Sequence, residues 1–166
     1  MTNSEESIFK YFRLELERLG WVVVAGQAAR GSTDLPVVQA RIGSSRGSTG
    51  AIKPDLIATR ADALLVVEIK PGYSSSDVEK CSRLANSQPL QKSLISELAD
   101  RNLWQLNLQG NPIAPNPFLT AIAYAGLPQQ LNVSACFAMN NRTRIWHSKL
   151  PLSLKNITAI SSLLLP

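Results

Sequence analysis

Three charged residues stand where an apolar stretch should carry none. Asp55 follows Pro54 at the head of one apolar segment, and Glu68 and Lys70 close the run Ala63-Leu64-Leu65-Val66-Val67-Glu68-Ile69-Lys70. Residues two apart on a strand share a face, so Glu68 and Lys70 point to the same side of a sheet. With a turn centred near Ala61, antiparallel pairing makes opposed residue numbers add up to 122 or 123, which sets Asp55 against Val67 or Glu68. Two neighbouring carboxylates repel each other, and their burial requires a cation or hydrogen-bond donors in compensation. All-oxygen ligands suit a hard divalent ion such as Mg²⁺, with Mn²⁺ as a substitute. Lys70, on the same face, is placed to contact an attacking water or a phosphate and to offset developing negative charge.

The elements that must position this trio can be read from hydrophobic period and turn chemistry. From Ser4 to Leu19 the apolar residues Ile8, Phe9, Phe12, Leu16 and Leu19 recur at helical spacing, and Gly20 stops the helix. Trp21 to Ala25 is a short β-branched run expected as a buried strand. Ile52 to Thr59 and Ala63 to Ile69 are expected to pair as a hairpin around Arg60, Ala61 and Asp62. Ser76 and Glu79 have the spacing of a capping box, and Pro89 opens another helix running to about Arg101. Pro112, Pro115 and Pro117 mark a loop, followed by strands expected at Phe118 to Ala125, Leu131 to Met139 and Thr143 to His147, and a closing helix at Leu154 to Leu165. Together these predict an α/β domain over residues 1–166, a central mixed sheet flanked by helices, with no internal repeat.

Composition narrows the partners. A chain of 166 residues that is 45% hydrophobic and 17% charged belongs with ordinary globular domains rather than disordered or fibrous chains. Its apolar stretches, such as Ala63 to Val67, are far shorter than the roughly 20 residues of a membrane-crossing helix. The start Thr2-Asn3-Ser4-Glu5-Glu6 lacks a signal-peptide pattern, and Cys81 and Cys136 show no metal-ligand spacing, so a cytoplasmic protein with reduced thiols is expected. The net charge of +5 suits a polyanion partner. Between Gly26 and Lys53 the basic residues Arg30, Arg41, Arg46 and Lys53 face only Asp34, in a Gly- and Ser-rich stretch where Val37 to Ile42 could form a strand. This stretch could grip a nucleic-acid backbone. The single histidine, His147, has no partner for zinc or base catalysis, and Trp21, Trp104 and Trp146 are expected in the core.

The order Pro54-Asp55, then Glu68-Ile69-Lys70 on two hairpin strands after a helix, resembles the signature of the PD-(D/E)XK nuclease superfamily over roughly Ser4 to Arg101. The resemblance implies a restriction endonuclease-like fold and Mg²⁺-dependent hydrolysis of phosphodiesters, with DNA as the expected substrate. It assigns catalytic roles to Asp55, Glu68 and Lys70, and metal ligation to Asp55, Glu68 and the Ile69 carbonyl. Members often add a glutamate from the first helix; by helical phase Glu5 is the choice here, with Glu6 and Glu15 behind it and Glu17 pointing away. Gln88 and Gln91 follow the lysine, but the tyrosine expected one turn later is absent, so neither is assigned. Cutting both strands of a duplex would call for a homodimer. The alternative is a non-cleaving nucleic-acid-binding or assembly subunit that retains the nuclease fold.

Overall fold

The computed structural model describes residues 4–27, 34–43, 50–127, 135–140 and 146–149. Helix α1, Glu5–Arg18, forms where expected: Ser4 caps it by accepting a hydrogen bond from the Ser7 N–H, and Gly20 at φ +82° turns the chain out of the helix. The buried stripe Ile8, Phe9, Phe12 and Leu16 faces the sheet. Strand β1, Val22–Gly26, follows directly, then β2, Leu56–Arg60, and β3, Ala63–Lys70. Helices α2, Ser75–Asn86, and α3, Gln88–Asp100, precede β4, Phe118–Ala125, β5, Ala135–Met139, and β6, Trp146–Lys149.

The strands lie in sequence order in one mixed sheet. β1, β2 and β3 run antiparallel, β3 to β4 and β4 to β5 are parallel, and β6 returns antiparallel to β5. Both faces are covered. On one side α1 packs against Leu56, Ala58, Leu65, Val67 and Ile69, with Phe12 reaching Phe137 of β5 at 4.9 Å between ring centroids. On the other, Leu90, Leu94 and Leu98 of α3 meet Ile57, Leu64 and Val66, while Cys81 of α2 packs with Ile122 and Ala138. A strand buried on both faces reads as a continuous apolar run, which explains the composition of β3. The architecture is thus α/β with a mixed sheet flanked by helices.

Several expectations are corrected. The strand expected from Ile52 begins only at Leu56, because Pro54 cannot donate to a ladder; Ile52 instead makes an isolated bridge with Ala40, all that forms of the strand expected at Val37 to Ile42. Ser76 is not a cap: the N-cap of α2 is Ser74, whose side chain engages the Ser76 hydroxyl at 3.0 Å instead of a backbone N–H. Ser87 caps α3, leaving Pro89 one position inside its first residue. The expected closing helix, with Leu131–Ser134 and Thr143–Ile145, lies outside the described residues. Among those described, no helix is long and apolar enough to cross a membrane.

Gly26 has a role that a loop-opening glycine would not. A Cβ at this position would stand 2.9 Å from the Asp55 carbonyl oxygen and 3.2 Å from the Phe9 ring. The neighbouring Gln27 N–H donates to that same carbonyl at 2.9 Å. Only glycine lets β1 and α1 close on the backbone of Asp55. Gly26→Ala is expected to lower unfolding free energy by about 1–3 kcal/mol; chemical denaturation measures it, and an unchanged midpoint would show that the contact relaxes without strain.

Candidate active site

The β2–β3 hairpin ends its pairing at Leu56 and Val67, with opposed residue numbers adding up to 123; Asp55 lies one residue beyond, where the same register would set it opposite Glu68. The tight connection is Ala61-Asp62, with Ala61 at φ +52°. Val67 and Leu56 mark a ladder position at which both strands turn their N–H and C=O groups toward each other. Two residues further along β3, Ile69 would meet Pro54. Proline has no N–H to give the Ile69 carbonyl. The Ile69 N–H turns to the Asp55 side chain instead, donating to Oδ2 at 2.8 Å. That bond fixes the carboxylate beside the end of β3.

Alternation places Glu68 on the face of Leu64 and Val66, under α2, at 2% exposure. Its compensation comes from a residue that the sequence reading missed: Lys80 of α2 sets Nζ 2.6 Å from Glu68 Oε2 and donates to the Lys53 carbonyl at 2.9 Å. A signal was present, since Asp77, Lys80, Cys81 and Leu84 recur at helical spacing, so Lys80 lies on the inward stripe of α2. Burial, then the charge of Asp55, push the Glu68 pKa up to about 8 against the opposing effect of Lys80. Burial likewise pushes the Cys81 thiol up, which leaves it an inert packing group that donates to the Ala121 carbonyl.

Lys70 ends β3 at the rim of the sheet. Its Nζ lies 3.5 Å from Asp55 Oδ2 and 3.6 Å from Glu5 Oε1. Partial burial works to lower its pKa, but Asp55, Glu5, Asp77 and Glu68 together hold it above the ordinary lysine value, so it stays charged. Glu5 is therefore the first-helix glutamate that joins the group. Glu6 pairs with Lys10, Glu15 with Arg18 and Glu17 with Arg13. A narrow cleft with room for about one water, about 10 Å³, opens beside Lys70, lined in part by Glu68, Lys70, Ser74, Asp77 and Tyr124. Gln91 is structural: its side-chain amide donates to the Leu84 and Ala85 carbonyls and closes the end of α2. Trp21 and Trp104 are buried, as expected of core residues. Arg30 and Arg46 lie outside the described residues.

As a cation site the donor set is sparse. No group of three or more His, Cys, Asp or Glu side chains among the described residues could hold a metal. Asp55, Glu68 and the Ile69 carbonyl nonetheless offer the hard oxygens that suit Mg²⁺, which needs only one or two carboxylates when water and phosphate complete its shell. No protein-family model, curated protein or solved structure matches the chain.

The raised Glu68 pKa sets a pH dependence. The folded chain keeps the proton between about 4.5 and about 8, where the unfolded chain has released it, so stability falls as pH rises through that window. Without added divalent ions, Glu68→Gln should remove this fall, gaining roughly 2–5 kcal/mol over the parent between pH 5 and pH 9. A parent-to-variant difference that is the same at both pH values would show that Glu68 does not titrate in this range.

Proposed function

We propose that the chain is a metal-dependent nuclease of the PD-(D/E)XK type, with a restriction endonuclease-like fold, that hydrolyses phosphodiester bonds in nucleic acid, DNA first. The observation that carries the proposal is the gathering at one sheet end of Asp55 and Glu68, each one residue past the paired Leu56 and Val67, with Lys70 held between Asp55 and Glu5. Asp55, Glu68, the Ile69 carbonyl and Glu5 would hold Mg²⁺ or, in its place, Mn²⁺. When bound, the ion supplies a low-pKa water and positive charge against the phosphate. The chain's own residues do the rest. The Ile69 N–H holds the Asp55 carboxylate beside Lys70, and Lys70, charged and partly exposed, orients the attacking water and offsets charge on the phosphate oxygens. The net charge of +5 favours approach of a polyanion. One such centre cuts one strand, so double-strand breaks would need a two-fold dimer.

The second reading, a nucleic-acid-binding or assembly subunit that does not cleave, is favoured by one contact: Lys80 already occupies Glu68 at 2.6 Å. Cleavage assays separate the two. Incubation with supercoiled plasmid, single-stranded, branched and RNA substrates should give Mg²⁺-dependent product that chelation abolishes. Lys70→Ala should reduce the cleavage rate at least about 100-fold with the fold retained. Intact substrates in every metal condition would overturn the nuclease reading, and full activity of Lys70→Ala would remove the lysine from the mechanism. A monomer should convert plasmid only to nicked circles.

A further inference from the structure

Lys80 does more than neutralise a buried acid. Its ammonium bridges Glu68 Oε2 at 2.6 Å and the Lys53 carbonyl at 2.9 Å, joining α2 to both chain segments from which the facing acids emerge. It occupies one oxygen of a carboxylate that is otherwise sealed from solvent. One turn earlier on the same helix face stands Asp77. Its Oδ2 is buried with no hydrogen-bond partner among the described residues, and it lines the cleft beside Glu68 and Lys70. Positions three apart on a helix are neighbours, so a lysine at 80 can reach a carboxylate at 77 by side-chain rotation alone. The site thus holds one lysine, the carboxylate it engages and a second, unengaged carboxylate three residues away on the same helix.

We propose that Lys80 is a resident cation that holds Glu68 in place of a divalent ion and moves to Asp77 when such an ion binds Glu68. The proposal rests on the reading of Asp55 and Glu68 as a metal site. The chemistry is an exchange of like charges. An ammonium on Oε2 and a divalent ion on the same carboxylate repel each other across a medium that burial keeps poorly screening, so the two compete. Asp77 supplies a nearby acceptor, and the exchange keeps both carboxylates compensated without drawing water into the core. The flexible four-carbon stem of lysine permits the movement, which the planar fork of arginine would hinder. Lys80 is thereby a positioning residue: it holds the Glu68 carboxylate until the ion arrives and vacates it as the ion binds.

The test is a pair of crystal structures of the chain, without and with saturating Mn²⁺, the ion located by its anomalous scattering. With Mn²⁺ on Glu68, Lys80 Nζ should shift from 2.6 Å to beyond hydrogen-bond reach of Oε2 and lie within salt-bridge distance of the Asp77 carboxylate. Mn²⁺ on Glu68 with Nζ still bonded to Oε2 would overturn the exchange while leaving the metal site standing. Mn²⁺ absent from both Asp55 and Glu68 would overturn the exchange and the metal site together.

Discussion

A carboxylate inside a strand that is covered on both faces needs a compensating partner, and the arrangement around Glu68 follows from that need. Leu64 and Val66 on the same face are held by α3, and Thr120, beside Val66 in the sheet, carries no charge to offset an acid. Lys80 must therefore come from α2, and Ser74 and Ser87 set where α2 and α3 begin. Burial and the Asp55 charge still outweigh the ammonium and hold the Glu68 pKa above its ordinary value. Replacing a buried ion pair by apolar residues is often neutral or stabilising, so such an arrangement is poor evidence of structural need. A functional cause fits it better.

The second constraint is the end of the β2–β3 ladder. Pro54 interrupts pairing one residue before Asp55, and Gly26 lets β1 close onto the Asp55 backbone. The interruption turns the Ile69 N–H from a ladder donor into a clamp on a side chain. Lys70, one residue later, is aimed between layers: α1 brings Glu5 round the sheet end from one side, while Asp55 approaches along β2. α1 can do this because Ile8, Phe9, Phe12 and Leu16 anchor it to the sheet. The polar site is therefore positioned by apolar contacts on both faces.

Much of this was legible in the sequence because it depends on local period and pairing. The apolar run of β3 and a turn near Ala61 set Asp55 against Val67 or Glu68 with no tertiary information beyond the hairpin, and the length of the turn in the structure favours Glu68. Helical phase sufficed to prefer Glu5 over Glu15. Lys80 was missed because its role depends on how α2 docks, a non-local choice, although its place on an inward stripe with Cys81 and Leu84 was visible. Gly26 resembled any loop glycine, since a close approach of two backbones leaves no trace in composition. The cap of α2 was misplaced because Ser74, Ser75 and Ser76 are chemically equivalent and only backbone geometry decides which one flanks the helix.

The proposed nuclease centre requires Asp55 and Glu68 to act as one cation site. Titration calorimetry with Mn²⁺ on the parent chain and on Asp55→Asn, each shown to be folded by circular dichroism, tests that directly. The parent should bind with one ion at the site, and the variant should bind at least about tenfold more weakly. Equal Mn²⁺ affinity in the two proteins would contradict the account.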